Sequence, residues 1–97
     1  MASSFQPEPE HEIDLHGLRV AQALRHLKLR LTVCRSMSIP RVRIITGRGW
    51  GSPGGKARLK PAVEEWLLGP EGRALGVREI SEASQGGAWD VMLTRTP

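Results

Sequence analysis

The chain has 97 residues, 39% hydrophobic and 25% charged, with a formal net charge of +4. That length holds one domain with one core, and it excludes a two-half dinucleotide fold or a large barrel. The single cysteine, Cys34, excludes an internal disulfide framework, and no apolar run approaches the ~20 residues of a membrane-spanning helix.

Residues 1–11 carry Pro7, Pro9, two serines and acids without periodicity. They read as a flexible tail or linker ahead of a domain over residues 12–97. No basic segment followed by an apolar stretch opens the chain, so a cytoplasmic protein is expected. The first ordered element is "EIDLH", a short strand that ends at Gly17. On a strand Ile13 and Leu15 point one way and Asp14 and His16 the other. Same-face neighbours lie about 7 Å apart at the backbone, which leaves direct contact possible, and the acid and the imidazole are expected rather to face a common third object.

Residues 18–33 follow as an amphipathic helix, with Val20, Leu24, Leu27 and Leu31 in one stripe. Pro40 biases Ile39 away from helical geometry and closes that segment. "RVRIIT", residues 41–46, is a second strand. A second helix runs from about Arg58 to Leu68, with Leu59, Val63, Trp66 and Leu67 at core spacing. Pro61 is tolerated only in its first turn, and Gly69-Pro70 stops it. "GPEGRALG" reads as a surface loop. "VREISEA" (77–83) and "AWDVMLTR" (88–95) flank a turn at Gln85-Gly86-Gly87 and form a hairpin, with Trp89, Val91 and Leu93 on one face.

The order is βαβαββ. The expected fold class is α/β, a single two-layer domain with a four-stranded mixed sheet and two helices. Two crossovers make the first three strands parallel, and the last strand runs antiparallel. Ligands of parallel sheets gather beyond the C-terminal strand ends. "LHG" and "TGRG" both sit at such ends, so one site can draw on both.

Charge follows position along the chain. Residues 11–60 hold eleven of the fourteen Lys and Arg against Glu12 and Asp14, a net +9. The last third is mildly acidic. Such asymmetry suits an anionic partner, nucleic acid first among them, or a basic face kept for solubility.

Between the second strand and second helix lies "GRGWGSPGGK", residues 47–56, with five glycines. One reading is a phosphate cradle of backbone N–H groups, with Arg48, Lys56, Arg58 and Lys60 nearby. The other is a tight connection that needs positive φ angles. "GWGSPG" matches a dinucleotide glycine pattern, but Pro53 interrupts it and no acidic strand end follows. Trp50 either stacks on a base or folds back on the core.

Asp14 can orient His16 and favour its protonated form, or both can merely hold the start of the helix. No HxxxH, HExxH or CxxC is present, so zinc is not expected. RNA offers a metal-free route to phosphodiester cleavage: its 2′-OH is an internal nucleophile, a histidine moves the proton and cations steady the phosphorane. No cofactor is expected. A divalent metal enters only if DNA is the substrate, since DNA cleavage needs an activated water.

Taken together, "IDLHGL", "RIITGRGWGSPGG", "LKPAVEEWL" and "WDVMLTR" resemble the Smr (small MutS-related) domain over residues 12–96. The resemblance implies a fold similar to the C-terminal domain of bacterial translation initiation factor 3. It implies endonuclease activity, as DNA nicking or RNA cleavage, or non-catalytic docking on nucleic acid or a ribosome. By this resemblance Asp14 and His16 are the catalytic DxH pair. Thr46, Gly47, Arg48 and Gly49 match the TGxG motif. With Trp50, Lys56 and Lys60 they are the expected substrate-binding residues. Thr46 stands where some members carry a second histidine. The protein is expected as a monomer or as a domain of a larger chain, with no membrane partner.

Overall fold

The computed structural model describes residues 11–47 and 58–94. Arg48, Gly49, Trp50 and Lys56 lie outside the described residues, as do the tail and the last three positions.

The sequence alternation becomes strand β1 (His11–Asp14), helix α1 (Val20–Ser36), strand β2 (Arg41–Ile45), helices α2 (Leu59–Leu68) and α3 (Pro70–Ala74), and strands β3 (Val77–Ala83) and β4 (Ala88–Leu93). A short 3₁₀ turn, Ser84–Gly86, joins the last two strands. The sheet order is β1-β2-β4-β3. β1 and β2 pair in parallel, while β4 runs antiparallel to both β2 and β3. The first three strands therefore share a direction, as the two crossovers require. The antiparallel strand is inserted between the second and third rather than added at an edge.

One sheet face is apolar because every second strand residue is. Ile13, Val42, Ile44, Trp89, Val91 and Leu93 meet Leu27, Leu31, Val63 and Leu67 from the helices, all buried. On α1 the fully buried stripe is Ala23, Leu27, Leu31 and Cys34, while Val20 and Leu24 are partly buried against the core. Burial pushes the Cys34 thiol above the ordinary cysteine range. The other sheet face is open. There Arg43 and Asp90, direct cross-strand neighbours, form a bidentate pair at 2.8 and 3.1 Å. This is a two-layer α/β domain. No described helix is long and apolar enough to cross a membrane.

Three local outcomes depart from the sequence reading. Helix α1 runs to Ser36, beyond the expected end at Val33. It ends when Ser38 takes a left-handed φ of 58°. Ser38 N–H then donates to the Arg35 carbonyl and Ile39 N–H to the Cys34 carbonyl, both at 3.0 Å, which caps the last turn before Pro40 acts. The first part of "GPEGRALG" is helical rather than loop. Pro70 opens α3 at a position where proline is favoured, Glu71 lies in its first turn and Arg73 in its last. Five residues are too few to show a helical period. Finally, the first strand ends at Asp14, before His16.

Helix α3 is pressed onto the end of α2. A Cβ on Gly72 would lie 2.1 Å from the Leu67 carbonyl oxygen, a backbone atom that cannot turn aside. Gly72→Ala is expected to cost about 1–3 kcal/mol or more, read as a lowered thermal midpoint. Ser38→Gly should act in the opposite sense. It removes a side chain from a left-handed position, for a gain of about 1 kcal/mol and a rise of roughly 4–8 °C in that midpoint.

Candidate active site

The site begins where β1 gives out. Leu15 continues the parallel ladder for one more bond, its N–H donating to the Ile45 carbonyl at 2.7 Å, and its side chain is fully buried. Leu18 N–H then donates to the Leu15 carbonyl, and Gly17 turns the chain at φ 82°. A residue with a Cβ adopts that angle rarely. Within this turn the Asp14 carboxylate Oδ1 accepts the His16 backbone N–H at 3.1 Å. It also contacts His16 Nδ1 at 2.6 Å. An aspartate that holds the N–H two residues on makes a compact turn. This brings the two side chains into direct contact. A straight strand leaves that contact possible and favours a common third object, and the turn decides for contact.

The pair is polar and open. The His16 and Asp14 side chains are 67% and 55% exposed. An ionised carboxylate only accepts, so Nδ1 carries the proton and a neutral His16 turns an acceptor Nε2 outward. The His16 hydrogen bond holds the Asp14 carboxyl below the usual aspartate range, against a smaller opposing effect of desolvation.

The second motif arrives at the same edge. A Cβ on Gly47 would lie 3.6 Å from the His16 Cβ, and Gly47 has φ 77°. The ends of β1 and β2 therefore meet. The roles of Thr46 and Gly47 there are structural in one respect. Their N–H groups both donate to the Gly87 carbonyl, at 3.0 and 2.9 Å. These two amides are not available as phosphate donors in this arrangement, although the sequence reading placed the cradle from Gly47 onward. Thr46 is only 5% exposed and its hydroxyl donates to the Gly47 carbonyl at 3.0 Å. Lys60 is also engaged. Its ammonium pairs with Glu82 and stands 4.9 Å over the Trp89 ring, while Trp89 Nε1–H donates to the Lys60 carbonyl at 3.3 Å.

The other wall comes from α1, an element to which the sequence reading gives no site residue. Gln22, Arg25, His26 and Leu29 join Asp14, His16 and Leu18 around an open hollow of about 620 Å³. Their spacing of i, i+3, i+4, i+7 was the available signal, since it marks one helix face. Nothing in it says which strand end that face overlooks. A smaller hollow of about 120 Å³ on the open sheet face, beside Arg41, Glu79 and Asp90, contains no imidazole. Among the described residues no three His, Cys, Asp or Glu side chains gather closely enough to hold a metal ion.

The domain that carries this site has counterparts. The family model of the Smr domain matches residues 13–93. The chain belongs to the Smr domain family. Two solved Smr domains share its architecture. One is the crystal structure of the Smr domain of Thermus thermophilus MutS2, at a TM-score of 0.68 and 30% identity over 87% of this chain and 98% of that one. The other is the solution structure of the B3BP Smr domain, at 0.62 and 38% over 89% and 80%.

Among curated proteins, human NEDD4-binding protein 2 is 42% identical over 66 residues, 62% of this chain and 4% of its own length. The endonuclease NBR9 of Saccharomyces cerevisiae is 43% identical over 56 residues, 58% of this chain and 23% of its own. Polyadenylate-binding protein-interacting protein 7 of Arabidopsis thaliana is 41% identical over 70 residues, 65% of this chain and 12% of its own. This Smr domain thus matches only a minor part of each of those proteins.

A carboxyl titration followed by NMR tests the pair directly. Asp14 is expected to titrate below the ordinary aspartate value of about 3.9, and His16→Ala should move it back up. The folded-state value is depressed, so the pair's contribution to stability is present above the unfolded value. It is lost as pH falls through the folded one.

Proposed function

We propose that this Smr domain is a nucleic-acid endonuclease in which Asp14 and His16 move the proton of the cleavage step. The observation that carries this reading is the exposed 2.6 Å contact between Asp14 Oδ1 and His16 Nδ1. It fixes the ring, sets its tautomer and presents Nε2 to whatever enters the hollow. A single oriented imidazole of this kind contributes a factor of about 10²–10⁴ in general acid–base catalysis. The 43% identity to a yeast protein named as an endonuclease supports the same class of reaction.

The chemistry favours RNA. With a 2′-OH as nucleophile, one proton acceptor begins the reaction without an activated water. His16 Nε2 takes the 2′-OH proton while Asp14 stabilises the imidazolium that forms. The basic segment over residues 11–60 supplies long-range attraction for a polyanion. That segment equally suits a domain that only docks on nucleic acid. The two readings separate on turnover: docking alone gives salt-sensitive binding and no product.

Single-stranded RNA and supercoiled plasmid should be incubated with the protein, with and without EDTA, beside His16→Ala. The expected result is RNA cleavage that survives EDTA, leaves 2′,3′-cyclic phosphate and 5′-hydroxyl ends, and falls by about 10²–10⁴-fold in the variant. Equal rates for the two proteins would remove His16 from the reaction. Binding without product would leave the docking function.

A further inference from the structure

Cleavage of an RNA link needs two proton movements. One proton leaves the 2′-oxygen and one reaches the departing 5′-oxygen, which is a poor leaving group as an alkoxide. His16 serves the first. A second group must stand in the same hollow and change charge near neutrality.

The chain has three histidines. His11 stands at the far end of β1 from the site, and its Nε2 is bonded to the Arg30 guanidinium at 3.0 Å. Thr46 occupies the TGxG position that could have offered an imidazole, and it is buried. His26 is different. It lies on the exposed face of α1 and lines the hollow that Asp14 and His16 line. The remaining walls are Leu18, Gln22, Arg25 and Leu29. Among the described residues around the hollow, His26 is thus the one imidazole besides His16.

Its neighbour strengthens the case. Many described cations are engaged elsewhere. Lys28 pairs with Glu71, Lys60 pairs with Glu82, and Arg73 donates to a backbone carbonyl. The side chains of Arg25 and His26 hold no hydrogen bond or ion pair among the described residues, and both residues are exposed. A free cation and a free imidazole one position apart on a helix face the same opening. That suits a phosphate with its leaving oxygen.

We propose that His26 is the general acid of this site, protonating the 5′-oxygen of RNA while Arg25 faces the charge on the phosphorane. The inference rests on the endonuclease reading above. The bond from O2′ to phosphorus forms and the bond from phosphorus to O5′ breaks. The O2′ proton passes to His16 Nε2, and the His26 imidazolium gives its proton to O5′. The products are a 2′,3′-cyclic phosphate and a 5′-hydroxyl. Water then returns both rings to their starting charge.

The test replaces the leaving oxygen by sulfur. A thiol has a pKa of about 8.5 and departs as thiolate without a proton from the enzyme. Wild type, His16→Ala and His26→Ala are compared on a single-stranded RNA cut at a mapped link, and on the same RNA with a 5′-bridging sulfur at that link. The expected result is that His26→Ala loses about 10²-fold or more on the oxygen substrate and stays close to wild type on the sulfur one. His16→Ala should fail on both. His26→Ala at the wild-type rate on oxygen would overturn the proposal and leave the endonuclease reading intact. An equal loss on both substrates would also overturn it, by assigning His26 to binding. A wild-type protein that cuts neither would end the endonuclease reading and this one with it.

Discussion

The site depends on the parallel pairing of β1 with β2. The register sets Ile13 against Ile44 and Asp14 against Ile45, and the bond from Leu15 N–H to the Ile45 carbonyl carries it one step further. That last bond fixes where His16 must stand, which is beside Gly47. A slip of one residue would turn Asp14 into the helix layer and Ile13 out to water. The burial of the Ile13 and Leu15 side chains therefore holds the polar pair in place from the opposite face of the strand. Parallel strands also demand a crossover. Here the crossover is α1, so the element that makes the pairing feasible also walls the hollow.

The charge asymmetry along the chain has a structural meaning that a partner alone does not explain. The basic middle segment and the acidic last third meet within the fold. Lys28 pairs with Glu71, Lys60 with Glu82 and Arg43 with Asp90. Part of the +9 is thereby neutralised inside the domain, and the exposed field is smaller than a count along the sequence suggests. The Arg43–Asp90 pair lies half-buried on the open sheet face, where it helps to set the register of β2 against β4. What remains free, including Arg25, is then the more informative charge.

Much of this was readable beforehand, for identifiable reasons. The alternation of Val42 and Ile44, and of Trp89, Val91 and Leu93, is a period-2 signal that survives into the buried face. Leu59, Val63 and Leu67 do the same at helical spacing. Periodicity carries no information about strand order, so the insertion of β4 between β2 and β3 was not legible. Ser38 ended α1 in a conformation that glycine usually takes, and no residue type announced it. The Asp14–His16 contact was obscured by treating residues 12–16 as straight, when the turn that joins them is made by the Asp14 side chain itself. His26 was visible on a helix face, but what that face overlooks is decided only by the packing of α1 on the sheet.

The central place of β4 also bears on when the site comes into being. Gly87, just ahead of that strand, supplies the carbonyl that holds Thr46 and Gly47, and β4 alone bridges β2 to β3. A nascent chain that has released β1, α1 and β2 from the ribosome carries Asp14, His16 and His26 without the frame that aligns them. Chains are made from the N-terminus at about 5–20 residues per second. For that interval these three side chains exist in covalent sequence but not in register. The arrangement at the ends of β1 and β2 is therefore complete only once β4 has joined the sheet.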